Sequence, residues 1–480
     1  MKKIDSYFEL NKKELFRAIM AFAFNGLALI ATVFAVLAIN AQSISGALDL
    51  VKHNYKRAIF VVFSIVTLVI VSFMFFYHQN KKMMKRARNI TMIFLILIAS
   101  IIVCYLFGKI NVFLRPVALC AALILILLDK PTAVFMSSLF SVVLLIVDVF
   151  CVNFIWNDYV IVSLIISFTS GIASVFLIDG EGSRAKVFLM GFLVSVPVII
   201  CALCVNFSIN VNVLYALGSG VLSVSLMIIL LPIFELLFGA LTNFRLAELT
   251  DHKSRLIKEL SKNAPGTFSH TIIVAMLAEA CGNAIGENPL LVRACAYYHD
   301  MGKLKNPEYF TENQTGKNPH DDLSPELSTD IIRSHAKEGA ELIRRRHLPE
   351  VLASAAEQHH GTLPIRYFYM KASKFTDGKL NIENFSYYGP KPQTKVNAII
   401  MICDACEAKS RTLANRNHEN VDKAVKEIIE ERMNLDQFNE CDITFKELDV
   451  IRNTITNTLS GVYHERVKYP KLKTGGRRGG

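Results

Sequence analysis

The sequence predicts an all-α protein in which a polytopic membrane helix bundle is followed by a cytoplasmic all-helical domain. The chain is 52% hydrophobic and only 19% charged, with a mean hydropathy of +0.37, which is too apolar for an ordinary soluble protein. Apolar stretches follow one another up to about residue 239, and little of the later sequence alternates as a strand would. Since 480 residues allow two or three domains, we predict a transmembrane domain at 1–239, a connecting helix at 240–262, a helical domain at 263–465 and a basic, glycine-rich, disordered tail at 466–480.

The first half contains about eight apolar runs, each close to the ~20 residues that a bilayer core requires. The predicted spans are 15–40, 58–77, 90–108, 112–128, 132–155, 159–178, 187–209 and 213–239. The first run is too long for the core of a cleaved signal peptide, so we predict that it stays as an anchor. Eight spans place both ends of the bundle on one side of the membrane.

Basic residues indicate which side this is. Lysine and arginine cluster before the first span (Lys2, Lys3, Lys12, Lys13, Arg17) and between the second and third spans (Lys81, Lys82, Lys85, Arg86, Arg88). The first outer loop holds the contrary charges Lys52, Lys56 and Arg57. The balance favours a cytoplasmic C-terminal half by the positive-inside rule. The net charge of +11 is therefore attributed to topology and the lipid bilayer, not to binding of a nucleic-acid polymer.

Some polar residues in the apolar runs have two interpretations. Asp148 and Glu235 are intramembrane carboxylates, which often mark a functional site. The interpretation favoured here is that each lies near an interface or pairs with a neighbouring helix, because no ladder of ionisable groups accompanies them. The ten cysteines show no disulfide pattern, and a redox role is not expected for the Cys-x-x-Cys at Cys403 and Cys406.

Histidines and aspartates recur in apolar, helix-forming contexts in the second half. They are His270, the pair His299-Asp300, His335, the pair His359-His360, and Asp404. Such contexts place polar groups in a packed interior, where an unpaired imidazole or carboxylate is costly. A single buried histidine is ordinarily a hydrogen-bonded core residue, but metal coordination would satisfy the whole ordered set at once.

These stretches resemble the HD superfamily of metal-dependent phosphohydrolases, and more narrowly the membrane-bound seven-transmembrane HD proteins that hydrolyse cyclic di-AMP. The matching stretches are 264–270 (Ala-Pro-Gly-Thr-Phe-Ser-His), 296–303 (Ala-Tyr-Tyr-His-Asp-Met-Gly-Lys), 318–325 (Asn-Pro-His-Asp-Asp-Leu-Ser-Pro), 357–362 (Glu-Gln-His-His-Gly-Thr), 389–395 (Gly-Pro-Lys-Pro-Gln-Thr-Lys), 404–408 (Asp-Ala-Cys-Glu-Ala) and Ser410-Arg411. The likeness runs from about Leu246 to Gly461, and the preceding helices fit the family's membrane block. It implies a multi-pass protein of the bacterial inner membrane with its HD domain in the cytoplasm.

The resemblance also implies a site for two divalent metal ions, iron or manganese. His270, His299, Asp300 and Asp404 would hold one ion, and Asp300, His335, His359 and His360 the other, so that Asp300 bridges them. Cyclic di-AMP would be opened to linear 5′-pApA, with Asp300 and Lys303 in catalysis. Lys303 would reach a phosphate, although an exposed lysine after a turn is the alternative, and Lys391 and Lys395 are weaker substrate-binding candidates. His320, His347, His418 and His464 fall outside the pattern and are expected to be solvated or capping residues.

Substrate and role leave alternatives open. The Gly-Tyr-Pro signature of HD enzymes that act on cyclic di-GMP is missing after His360, which favours cyclic di-AMP. Another cyclic dinucleotide, a non-hydrolytic nucleotide receptor and a transporter with a regulatory HD domain are the alternatives, and the seven filled ligand positions favour the hydrolase. Full-length family members have a large extracellular domain after the first helix, where this chain has only Ala41 to Arg57, so regulation by an extracellular ligand is not expected. The oligomeric state is open, a homodimer included.

Overall fold

The computed structural model describes residues 10–151, 158–374 and 380–462, and the chain divides into two compact units, Met1–Phe244 and Arg245–Gly480. Throughout these described ranges the regular structure is helical and no strand occurs. The prediction of an all-α fold is confirmed.

The first unit is a bundle of long apolar helices. Its helices are α1 (Lys12–Asn40), α2 (Ile44–His53), α3 (Tyr55–Gln79), α4 (Lys81–Met84), α5 (Ala87–Gly108), α6 (Leu119–Leu127), α7 (Lys130–Cys151), α8 (Asp158–Ile178), α9 (Arg184–Val194), α10 (Val196–Asn206) and α11 (Val211–Phe238). By length and composition, α1, α3, α5, α7, α8, the α9–α10 pair and α11 can each cross a membrane. Large apolar side chains such as Phe24 on α1 and Phe63 on α3 are more than 60% exposed, as suits contact with lipid. Residues 152–155 of the predicted fifth span lie outside the described residues.

The predicted span at 112–128 is not one continuous helix. It consists of a 3₁₀ turn, Val112–Leu114, followed after Pro116 by α6, which has nine residues. Proline lacks the amide hydrogen of a helix and forces the preceding residue, Arg115, to be extended. A nine-residue helix rises only about 13 Å, well short of the roughly 30 Å apolar core of a bilayer. Residues 117–124 are fully buried, so protein and not lipid surrounds this segment.

The chain nevertheless crosses the bundle in this segment. At one end, the Asn111 amide donates to Asn212 at the beginning of α11 (2.8 Å). At the other end, the Asn80 amide donates to Asp129 (3.1 Å), and Asn80 directly follows α3. Since α5 runs from near Asn80 to near Asn111, residues 112–128 return the chain to the end at which α5 begins. The predicted number of crossings therefore stands, although the predicted continuous helix at this position was wrong.

Basic residues gather at one end of this unit. Phe22, early in α1, packs against Phe76 late in α3 and Phe94 early in α5, which places the beginning of α1 at the end that holds the α3–α5 connection. Gly239, where α11 finishes, lies beside Arg88 at the same end. The lysines and arginines at 12–17 and 81–88 therefore share the end from which the chain continues into the second unit.

The two intramembrane carboxylates have partners inside the bundle. Asp148 forms a bidentate ion pair with Arg115 (2.6 and 2.9 Å) and accepts a hydrogen bond from Ser163 (2.7 Å). Glu235 accepts a hydrogen bond from Thr242. Both observations support the interpretation that these residues pair with neighbouring segments.

The second unit is assembled from shorter helices. They are α12 (Asn243–Leu249, which begins in the first unit), α13 (Arg255–Asn263), α14 (Pro265–Ile285), α15 (Pro289–Tyr298), α16 (Pro325–Arg345), α17 (Glu350–Gln358), α18 (Arg366–Ser373), α19 (Lys395–Thr412), α20 (His418–Asn434) and α21 (Phe445–Val462). The single connecting helix predicted at 240–262 was wrong: α12 and α13 are separated by residues 250–254. Helix α14 is also long and apolar enough to span a membrane, but it packs against α15, α19 and α21 within this unit.

Candidate metal centre

The predicted ligands stand at the ends or in the middle of helices that meet in the second unit. His270 lies in α14, whose first amides, those of Gly266 and Thr267, donate to the Asn313 side chain (2.9 and 3.1 Å). This cap satisfies amides that the helix itself leaves unpaired, one turn before His270. His299 and Asp300 follow α15 directly, His335 lies in α16, His359 and His360 follow α17, and Asp404 lies in α19.

All seven predicted ligands converge, with Asp300 at the centre. Its Oδ2 lies 3.3 Å from His299 Nε2 and 3.7 Å from His270 Nε2. Its Oδ1 lies 3.4 Å from His335 Nε2 and 3.7 Å from His359 Nε2. Each oxygen of this one carboxylate therefore faces a different pair of imidazoles, as a bridging ligand would.

Asp404 lies against His270 of the first group and more distantly approaches His360 of the second. Its Oδ1 lies 3.0 Å from His270 Nε2, and its Oδ2 lies 3.8 Å from His360 Nδ1. The oxygens of Asp300 and Asp404 together lie within 3.9 Å of a nitrogen of all five imidazoles.

Backbone carbonyls orient three of the histidines. His299, His335 and His359 each direct Nδ1 at the carbonyl oxygen three residues earlier, at 2.6, 2.5 and 2.8 Å. A carbonyl only accepts, so Nδ1 carries the proton and the Nε2 lone pair faces the centre. Metal-binding histidines typically donate their other ring N–H to a carbonyl or carboxylate oxygen in this way.

The residues fit divalent metal ions. His299, Asp300, His335 and His359 are at most 2% exposed, and His299 Nε2 and Asp300 Oδ1 have no hydrogen-bond partner among the described residues. Leaving such buried groups unmet is costly. Three triplets can bring their ligand atoms within 4.8 Å of one another: His270–His299–Asp404, His299–Asp300–His359 and His335–His359–His360.

The electrostatics favour the protonation states that metal binding requires at Asp300, Asp404, His359 and His360, but not at His270. Burial alone would raise the pKa of Asp300, but Lys303 and His299 hold it well below its ordinary value, and His270 does the same for Asp404. Burial lowers the pKa of His359 to about 3 and that of His360 well below its usual range. The pKa of His270 is instead raised to about 10, because Asp404 and Glu407 outweigh the effect of burial. The two aspartates are thus ionised and the paired histidines neutral near neutral pH.

A cleft of about 570 Å³ opens onto these ligands. Phe310, Ile332 and Tyr387 form apolar parts of its wall, and the Tyr387 ring stacks on His360 (centroids 4.2 Å apart). Lys303 lies at the cleft with its Nζ 2.8 Å from Asp300 and 2.9 Å from Glu312. Its side chain is 12% exposed, so the alternative of an exposed lysine after a turn was wrong.

Other candidates lie elsewhere. Lys395 pairs with Glu447 (2.6 Å), and neither Lys395 nor Lys391 lines the cleft. His320 was expected to be a solvated or capping residue, but it is buried, packs on Phe368 and directs Nε2 at the Tyr309 carbonyl oxygen (3.0 Å).

The remaining histidines and the two cysteines of the Cys-x-x-Cys are not among the proposed metal ligands. His418 begins α20 and faces Asn457, His347 follows α16 with a positive φ, and His464 lies outside the described residues. Cys403 and Cys406 are buried, and burial raises the pKa of both thiols, which makes them unreactive.

Sequence reasoning missed several residues that shape the site, namely Glu312, Phe310, Tyr387, Glu407 and Arg411. Glu407 had a usable signal, because it follows Asp404 by three positions and so lies on the same face of a helix. Arg411 follows Glu407 by four positions on the same helix, so it had the same signal. Glu312, Phe310 and Tyr387 reach the cleft from other segments, and a single sequence holds no spacing that links those three to the ligands.

A helical domain in which seven histidine and aspartate side chains converge beneath a cleft follows a multi-pass apolar bundle, which is the arrangement of the membrane-attached HD-domain class of proteins. The family model described as "HD domain" matches residues 267–409, and the one described as "7TM receptor with intracellular HD hydrolase" matches residues 55–242. This chain belongs to that family of seven-transmembrane proteins with an intracellular HD hydrolase domain.

Relatives include two proteins named cyclic-di-AMP phosphodiesterase PgpH. The one from Bacillus subtilis (strain 168) is 37% identical over 445 residues, covering 88% of this chain and 61% of the relative. The one from Listeria monocytogenes serotype 1/2a (strain 10403S) is 40% identical over 371 residues, covering 75% of this chain and 51% of the relative. This chain thus spans between half and two thirds of their length. The crystal structure of the L. monocytogenes PgpH HD domain in complex with cyclic-di-AMP matches with 47% identity and a TM-score of 0.43, covering 45% of this chain and 99% of that one.

Proposed function

We propose that this chain is a metal-dependent phosphodiesterase that hydrolyses cyclic di-AMP to linear 5′-pApA at the cytoplasmic face of a bacterial inner membrane. The observation that carries the proposal is the Asp300 carboxylate, which faces two groups of imidazoles at the base of a 570 Å³ cleft. Two relatives with 37% and 40% identity are named cyclic-di-AMP phosphodiesterases, which supports this choice of substrate.

The ligand sets proposed here follow the two faces of Asp300. His270, His299, Asp300 and Asp404 would hold one divalent ion, and Asp300, His335, His359 and His360 the other. Iron or manganese suits imidazole and carboxylate donors. When bound, two such ions lower the pKa of coordinated water and neutralise phosphate charge.

The protein's own residues bind and orient the substrate in this proposal. Lys303 and Arg411 bring positive charge to the cleft, where a dinucleotide presents two phosphates. Tyr387 and Phe310 offer ring faces to the bases, since aromatic rings stack on nucleobases. Hydrolysis adds water at phosphorus and breaks the bond to the ribose 3′ oxygen, and a held lysine ammonium stabilises charge as it develops on the phosphoryl oxygens.

The test uses the full chain in detergent or nanodiscs, loaded anaerobically with iron(II) or manganese(II). Cyclic di-AMP and cyclic di-GMP are incubated separately and the products resolved by chromatography, with Asp300→Ala as the inactive control. Metal-dependent formation of 5′-pApA, absent in the control, is the expected result. Faster turnover of cyclic di-GMP would change the substrate, whereas tight binding without turnover under either metal would favour the non-hydrolytic receptor.

A further inference from the structure

His270 is oriented differently from the other histidines of the centre. His299, His335 and His359 direct Nδ1 at backbone carbonyl oxygens, but His270 Nδ1 lies 2.5 Å from Oε2 of Glu407. Carboxylate oxygens only accept, so Nδ1 of His270 carries a proton directed at Glu407. Nε2 is the nitrogen that faces Asp404 (3.0 Å) and Asp300 (3.7 Å), and it is the one that would bind an ion.

Glu407 is itself held firmly. Its side chain is fully buried, and its other oxygen, Oε1, accepts hydrogen bonds from Nε and an Nη of Arg411, each at 2.6 Å. Asp404, Glu407 and Arg411 follow one another at three- and four-residue spacing on α19, so they form one stripe that runs from the centre to the mouth of the cleft.

We propose that Glu407 is a positioning residue, which fixes the ring and tautomer of His270 and makes the ion held by His270 and Asp404 the more tightly bound of the two. The inference rests on the metal centre of the proposed function. It concerns affinity and order of binding, which the proposed reaction alone does not determine.

The two ligand sets differ in charge, and Glu407 enlarges the difference. In the proposed sets, the one with His270 would have Asp404 and a share of Asp300, whereas the other would have three histidines and only the shared carboxylate. A carboxylate that accepts from Nδ1 makes the imidazole a better donor than a carbonyl does, and loss of such a partner typically weakens metal affinity by about 10–100-fold. Removal of Glu407 should therefore weaken one site and spare the other.

The experiment titrates the metal-free full chain with manganese(II) and follows free Mn²⁺ by its electron paramagnetic resonance signal. Wild type should bind two ions. Glu407→Ala should keep one and bind the second about 10–100-fold more weakly, and Glu407→Gln, which still accepts from Nδ1 but lacks the charge, should fall between them. Asp422→Asn is the matched control, since it removes a carboxylate–arginine pair with Arg452 that does not line the cleft.

The outcomes separate this inference from the proposed function. Unchanged binding by Glu407→Ala, or equal loss at both sites, would overturn the positioning role whether or not the wild type is an enzyme. Thermal unfolding of each variant shows whether the fold is kept, and if Glu407→Ala does not fold, Glu407→Gln decides by the same criterion. Two-site binding by a wild type that hydrolyses no cyclic dinucleotide would refute the function and leave the role of Glu407 intact.

Discussion

Gly302 lies in the turn between Asp300 and Lys303, pressed against the backbone of α16. A Cβ at this position would lie 1.9 Å from the His335 carbonyl oxygen and 2.7 Å from the Gly339 nitrogen. Gly302→Ala must therefore push the turn away from α16 and separate Asp300 from His335. Since overpacking typically costs about 1–3 kcal/mol, we expect a lower Tm together with weaker metal binding.

Gly316 provides the control for this substitution. A Cβ there would meet nothing within 4 Å, and its φ lies outside the left-handed region. Gly316→Ala should leave both thermal unfolding and metal content unchanged. If Gly302→Ala has the same Tm and the same metal content as Gly316→Ala, the close approach of the turn to α16 does not hold Asp300 and His335 together.

Substitution of Lys303 tests whether this residue binds substrate phosphate or instead supports the metal ligands. Its ammonium group lies 2.8 Å from Asp300 Oδ2, so it competes with a cation for that carboxylate. We expect Lys303→Met to lower kcat/KM by about 100–1,000-fold, as loss of a positioned charge-stabilising donor commonly does, while metal affinity stays equal or rises. Parallel measurement of hydrolysis and metal titration checks this, and a fall in metal affinity would show that Lys303 supports the ligands instead.

Single residues also show where sequence reasoning stops. His299, Asp300 and the other ligands could be predicted because each stands in a polar motif within an apolar helix, and buried polar groups need partners. Glu407 was missed although its spacing from Asp404 places it on the same helix face, because that spacing does not show that its carboxylate contacts His270. Tyr387 and Phe310 come from segments without regular periodicity, so their place beside the centre depends on tertiary structure alone.

At the scale of elements, the short segment at 112–128 depends on a buried ion pair. Arg115, in its non-helical part, is 6% exposed and binds Asp148 of α7 through two hydrogen bonds. Removing one partner would leave the other charge buried and unpaired, which costs about 3–5 kcal/mol. We expect Asp148→Asn to lower the thermal stability of the full chain in detergent sharply, whereas Arg115→Leu with Asp148→Leu should recover most of the loss.

An exposed pair in the same bundle is the control for this prediction. Lys130 and Asp179 lie 2.9 Å apart, but both side chains are about 40% exposed. Such a pair contributes about 1 kcal/mol or less, so Asp179→Asn should hardly change the Tm. Equal effects of Asp148→Asn and Asp179→Asn would contradict a stabilising role for the buried pair.

The same segment shows why elements are predicted with unequal success. Runs such as 58–77 and 90–108 are apolar without interruption, and the structure has single helices there, Tyr55–Gln79 and Ala87–Gly108. Residues 112–128 have a similar composition, but Pro116 stops the helix, and the backbone around it is sheltered by neighbouring helices. Hydropathy depends on composition and not on which neighbouring helices shelter the backbone. It therefore predicts that residues 112–128 cross the bundle, but not that their helix is interrupted.

At the scale of the whole molecule, composition predicted two parts because the apolar spacing ends abruptly near residue 239. The structure places the boundary between Phe244 and Arg245, inside α12, which begins at Asn243. Helix α14 shows the limit of such reasoning, because an apolar composition that could span a membrane here serves the interior of the second unit. What distinguishes it is His270, a residue whose burial needs partners that lipid cannot provide.

The orientation of the bundle gives the last prediction. Ser45, in the connection between α1 and α3, is exposed, and so is Gly182 between α8 and α9. Asp179 pairs with Lys130 next to Asp129, whose partner Asn80 follows α3, so Gly182 lies at the opposite end of the bundle from Ser45. The basic clusters at 12–17 and 81–88 share the end of Gly182, which the positive-inside rule assigns to the cytoplasm.

In a background lacking the exposed thiol of Cys204, a membrane-impermeant maleimide should label Ser45→Cys only in right-side-out vesicles and Gly182→Cys only in inverted ones. Labelling of both from one side would contradict the crossing at 112–128, whereas the reversed pattern would keep the fold and place the HD domain outside the cytoplasm, where an intracellular dinucleotide could not reach it.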